Sequence, residues 1–152
     1  MKGTLVIIPC GQRKIWDKEP NRGPTPARDA YIGPPFKVNK EYAEQFAEQW
    51  VILSAKHGLI SPDFMIPGPY NVTFKDSSTD PVPISTLQDQ IRRKSLDRFE
   101  RIVGLGGREY RAIVEEALAS LPVKICFPFA GLRLGKAMQA TRQAITLGKL
   151  CP

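Results

Sequence analysis

The chain has one histidine, His57, standing in Lys56-His57-Gly58 directly after the apolar run WVILSA (50–55). An imidazole, with an ordinary pKa of about 6.5, gives or takes a proton near neutrality and suits acid–base catalysis. Three other apolar runs end in comparable chemistry. TLVIIP (4–9) leads into Cys10-Gly11-Gln12-Arg13-Lys14, a thiol with two cations around a glycine turn. RIVGLG (101–106) leads into Gly107-Arg108-Glu109-Tyr110, and VKICFP (123–128) into a turn with Gly131, Arg133 and Lys136. Neighbouring cations lower a thiol's pKa, so Cys10 is a candidate nucleophile, with His57 as a possible base. The other reading of Cys10 is a small, inert, buried hydrophobe. Glu109 offers a carboxylate that activates water or stabilises developing positive charge, while His57 exchanges a proton with a leaving base. Lys14, Lys56 and Arg133 offer charge for a phosphate, and Tyr70 a ring for a base. Glycines ahead of a helix, Gly107 and Gly131 among them, expose backbone N–H groups to an anion, or merely permit close packing. Together these groups suit an enzyme acting on an N-glycosidic bond of a nucleoside, nucleotide or DNA base.

Such groups work only if the elements between them bring the four turns together. The four apolar runs show little alternation and end at Gly, Pro or polar turns, the pattern of strands buried on both faces of a parallel sheet. Helical spacing follows each. Asn39 is placed to cap NKEYAEQFAEQW (39–50), and Ser85 to cap the stripe Leu87, Ile91, Leu96, Phe99. REYRAIVEEALASL (108–121) and LRLGKAMQATRQAITL (132–147) are amphipathic. The alternation predicts one α/β domain over 1–152: three layers, with a mostly parallel sheet of about four core strands. Residues 16–38 and 61–83 carry five prolines each and read as two long Pro-rich loops over the rim. In such sheets ligands bind beyond the carboxyl ends of the strands, where all four turns lie.

With 22 Lys+Arg against 15 Asp+Glu, the formal charge of +7 points to phosphate-bearing partners: a phosphorylated small molecule or nucleic acid. The run IRRKSLDRFER (91–101) is either a solvated helix face or a phosphate-binding one, so a non-catalytic nucleic-acid-binding module is the alternative function. A redox-responsive protein using Cys10 is a third. No apolar run approaches the roughly 20 residues needed to cross a bilayer. The start, MKGTLVIIPCG, reads as a first strand rather than a signal peptide. Cys10, Cys126 and Cys151 are odd in number and lack metal-type spacing, which suits thiols in a reducing cytoplasm with no metal site. Glu109 replaces the last glycine that a GxGxxG dinucleotide loop requires, and no GxxxxGK[ST] occurs. No cofactor is expected.

In order along the chain, PCGQRK, LSAKHGLISPDFMIPGPY, GLGGREY and PFAGLRLGK resemble the signatures of the YaaA (peroxide stress protein) superfamily. They are also very like small bacterial and phage domains of unknown function carrying CG..K and SAKHGL motifs. The resemblance implies an α/β fold with a cationic cleft, DNA binding and a role in limiting oxidative DNA damage. Cys10, Lys14, Lys56, His57, Gly58, Tyr70, Glu109, Tyr110, Gly131 and Arg133 occupy or adjoin its motif positions. The chain is far shorter than the larger members, whose insertions supply a helix-hairpin-helix-like element. No established reaction comes with the resemblance.

Overall fold

The computed structural model describes residues 3–150; Cys151 lies outside them. Strand β1 (Thr4–Pro9) is followed by the short helix α1 (Ile15–Lys18), strand β2 (Thr25–Pro26) and helix α2 (Ala27–Ala30). Helix α3 (Pro34–Phe46), strands β3 (Gln49–Ser54), β4 (Gly58–Ile60) and β5 (Met65–Ile66), and helix α4 (Ile84–Arg93) come next. The chain closes with β6 (Arg101–Gly104), α5 (Arg108–Leu118), β7 (Lys124–Cys126) and α6 (Leu134–Leu147).

The main sheet has the order β4-β3-β1-β6-β7. Pairing is parallel between β1, β3, β6 and β7, whereas β4 folds back antiparallel on β3, with Ser54 opposite Gly58. The four apolar runs are therefore the four parallel strands. Central β1 sorts its side chains by pleat: Leu5 and Ile7 go to one core with α4 and α5, Val6 and Ile8 to the other with α3 and α6. Both faces of β1 are buried, which is why its run lacks polar alternation, whereas the edge strand β7 exposes Lys124 and only half-buries Ile125 and Cys126.

Helix boundaries differ from expectation for local reasons. Helix α3 starts at Pro34, not at Asn39, because Gly33 is its cap and two prolines occupy the first turn. There a fixed φ helps and the missing N–H costs nothing. It stops at Phe46, since Trp50 pairs with Val6 in β3. Helix α4 is capped by Pro83 rather than Ser85 and ends at Arg93. Ser95 adopts a left-handed φ of 53°, and a 3-10 turn then delivers Leu96 and Phe99 to the core. The apolar stripe continues although the helix does not.

The two Pro-rich segments are not plain loops. Strand β2 of the first pairs antiparallel with β5 of the second, and Lys14 bridges Tyr31. Trp16, Ala27, Ala30, Tyr31 and Ile66 join the core on the α3/α6 side. The segments thus form an arm braced against the carboxyl-end rim. Among the described residues no helix is long and apolar enough to cross a membrane.

Candidate functional site

The chain leaves β1 toward β3 on one side and later places β6 on the other. The switch point therefore lies between the carboxyl ends of β1 and β6, where diverging connections open a crevice. A cavity of about 270 Å³ occupies it. Its polar lining comes from Cys10, Glu109, Tyr110, Asn39, Thr141 and Lys75, and its apolar lining includes Leu105, Phe129, Leu132, Leu134 and Met138.

Gly106 sets this geometry. Its φ is +120°, and a Cβ there would lie 3.0 Å from Pro9 Cγ and 3.2 Å from Tyr110 Cβ, so glycine lets the start of α5 approach β1. The approach brings Tyr110 Oη to 3.3 Å from Cys10 Sγ. Burial, and then the neighbouring thiol, hold the Tyr110 hydroxyl well above its ordinary pKa. Phe74 of the arm packs edge-on against the Tyr110 ring at 5.7 Å. Glu109 is half exposed, with Lys75 Nζ 3.8 Å from its carboxylate. Gly107 caps α5 and lines the cavity beside them.

A second cluster stands at the end of β3. Ser54 is fully buried, and its Oγ accepts the N–H groups of Lys56 (3.3 Å) and His57 (3.1 Å). With both lone pairs taken, the hydroxyl donates to Tyr70 Oη at 2.9 Å, and Tyr70 in turn donates to Tyr31 Oη at 2.5 Å. Burial drives both tyrosines upward in pKa, fixing them as neutral members of this chain. Lys14 is only 8% exposed. Its ammonium rests 4.4 Å from the centre of the Tyr70 ring and donates to the carbonyls of Gly11 and Gln12 at 3.4 and 3.3 Å. Burial lowers its pKa, with Cys10 and Asp17 opposing that shift. Lys14 and Tyr70 also line an open groove with Gln12, Asp17, Pro69 and Asn71.

The sequence-derived candidates therefore divide. Cys10, Gly107, Glu109 and Tyr110 share the cavity. Lys14, Lys56, His57 and Tyr70 belong to the neighbouring cluster, and the thiol of Cys10 is close enough to add to the upward pKa shifts of Tyr31 and Tyr70. The expected thiol–imidazole pair does not form: Cys10 bonds Tyr110, while the His57 ring lies 5.3 Å from both Phe64 and Tyr70. Burial and then Lys56 lower the pKa of His57. Gly58 has a structural place. Its φ is +77°, and the turn is clamped by Gln90, which accepts from Leu59 N at 2.8 Å and donates to the His57 carbonyl at 3.0 Å. Gly131 and Arg133 are exposed and absent from the cavity wall, which takes Leu132 and Leu134 instead.

Sequence reasoning missed Ser54, Tyr31 and Gln90. Ser54 carried a usable signal, since a serine just before a tight turn often bonds the N–H two or three residues on. Within the basic run, Arg92 and Arg93 share Asp89 while staying exposed, Lys94 reaches the Leu59 carbonyl and Arg98 bonds Gln49.

An open, mostly parallel sheet with helices on both faces and a lined crevice at its switch point defines a small α/β domain with a ligand-sized cleft. Residues 5–143 match the model of a family described as a family of unknown function, DUF6884, and the chain belongs to that family. It is 37% identical over 142 residues to the Bacillus subtilis (strain 168) protein called uncharacterized protein YfjM, covering 93% of this chain and 94% of that one. It is also similar to the crystal structure of AF0587, a protein of unknown function, with a TM-score of 0.47 and 13% identity. That likeness covers 95% of this chain, which spans 45% of the other.

Proposed function

We propose that the protein is an enzyme acting on a nucleoside or nucleotide, with the N-glycosidic bond held in the cavity between β1 and β6. The observation that carries this reading is the cavity's two-sided lining, with Cys10, Glu109 and Tyr110 on its polar part and Phe129, Leu105 and Met138 on its apolar part. A base fills the apolar part, and its sugar meets the carboxylate. Glu109 takes a proton from water as the water oxygen bonds the anomeric carbon. The carbon–nitrogen bond breaks, its electron pair leaves on the base nitrogen, and the proton passes from Glu109 to that nitrogen. Tyr110, neutral and tied to Cys10, positions the wall beside the sugar. Lys75 is the cation that lines the cavity, and a nucleotide's phosphate meets it there. His57 lies outside this cavity and acts as a positioning residue for Tyr70.

The alternative, a non-catalytic DNA-binding protein linked to oxidative stress, draws on the +7 charge and on the resemblance to the YaaA superfamily. One assay separates the two. Release of free base is followed over a panel of nucleosides, nucleotides and duplex DNA, for the wild type and Glu109→Gln. The enzyme reading expects turnover that falls about 100-fold or more in the variant, the usual weight of a general base. Undiminished turnover in Glu109→Gln removes Glu109 from the chemistry. No base release from any substrate, together with DNA binding that weakens steeply with salt, favours the alternative.

A further inference from the structure

Asn39 is expected from its residue type to cap a helix, yet it lies inside α3, whose cap is Gly33. Asparagine is a poor choice there, because its carboxamide competes for backbone groups and its helix propensity falls well below that of leucine or alanine. The residue lines the cavity between β1 and β6, and among the described residues no group bonds its carboxamide. A half-buried carboxamide that neither caps nor bonds, on the wall of a largely apolar cleft, presents a donor beside an acceptor to whatever enters. Thr141, the other polar residue contributed by the α3/α6 layer, spends its hydroxyl proton on the Ala137 carbonyl at 2.7 Å. Asn39 is therefore the group in that layer whose donor and acceptor are taken by no other described protein group and stay open to solvent or a ligand.

Resting on the nucleoside reading above, we propose that Asn39 is the specificity-determining residue of the cavity, reading the hydrogen-bonding edge of a nucleobase. Its carboxamide pairs with a base that carries a donor next to an acceptor, either amidine-like (amino group and ring nitrogen) or amide-like (carbonyl and ring N–H). This is the two-point pairing by which asparagine distinguishes base edges elsewhere. Leu105, Phe129 and Met138 supply the apolar contact for the ring and carry no such information.

The test is calorimetric titration of two sets of nucleosides that share a ring and differ in that edge. One is adenosine and inosine against purine riboside; the other is cytidine and uridine against 2-pyrimidinone riboside. The expected result is that at least one edge-bearing nucleoside binds about tenfold more tightly than its bare analogue, in the range of one good bidentate pair. Asn39→Leu, of similar size and a better helix former, abolishes that preference, so that the edge-bearing nucleoside no longer binds more tightly than its bare analogue. Asn39→Ala repeats the comparison with the side chain removed, and a cooperative melt at or above the wild-type temperature in either variant confirms the fold. A wild type without edge preference, or a variant that weakens all ligands equally, overturns the assignment of Asn39 and leaves the nucleoside site standing. Failure of all six to bind overturns the nucleoside site, and this inference with it.

Discussion

His57 shows how one side chain's surroundings decide its part. Its ring packs against Tyr70 and Phe64, its backbone N–H is held by Ser54, and Lys56 adds a like charge beside it. Burial and that ammonium both disfavour the imidazolium, so the folded pKa lies below the unfolded value near about 6.5. Between the lowered pKa and about 6.5 the unfolded chain binds more protons, so stability rises with pH in that window and is lost as pH falls through it. Urea unfolding of the wild type at pH 7.5 and 5 should show this loss, and His57→Gln should show a smaller one. An identical pH dependence in the variant removes the His57 contribution. The residue was legible as special because it follows a strand end, as were Lys56 and Tyr70 beside it, but Ser54 and Tyr31 were not. Tyr31 and Tyr70 meet Ser54 only through the tertiary fold, from segments whose prolines read as loop. Asn39 was visible as a residue and misread as a cap, since the Pro34-Pro35 pair that starts α3 looks equally like the end of a loop.

Elements rather than single groups determine where Cys10 and Tyr110 meet. Strand β1 ends at Pro9 and α5 begins at Arg108, and Gly106 is the place where the two approach most tightly, with a positive φ of 120°. Gly106→Ala therefore carries a backbone cost from that φ and a tight contact that Pro9 and Tyr110 must yield to by a few tenths of an ångström. We expect about 1–3 kcal/mol of lost stability on denaturant unfolding. Tyr110 moves away from Cys10 and ligand affinity at the cavity falls with it. An alanine variant of unchanged stability and affinity would show that the close approach is not what builds the site. At this scale the sequence was informative. The inner strands β1, β3 and β6 announce themselves as apolar runs because helices cover both faces, whereas β7, half-buried at the edge with Lys124 exposed, is marked less sharply. The antiparallel β4 did not, because GLI is too short to stand apart from the turn before it.

Over the whole molecule, the strand order turns four separate turns into two neighbouring sites. The order β4-β3-β1-β6-β7 opens a crevice beside β1 on the β6 side, and the arm formed by the two Pro-rich segments fills the β3 side with tyrosines and Lys14. Instead of a single pocket built from all four rims, as the turns suggested, the fold has a largely apolar cleft whose charged groups are Glu109 and Lys75, with a packed polar cluster next to it. The formal charge of +7 gave no hint of this division, because net charge counts residues without saying where the fold places them. The most direct test of the cleft as the site is a crystal structure of Glu109→Gln soaked with a nucleoside that the titrations show to bind. The predicted result is density for the ligand between β1 and β6, its ring against Phe129 and Met138 and its sugar beside residue 109. Density in the groove of Lys14 and Tyr70 instead, with the cavity between β1 and β6 empty, would contradict it.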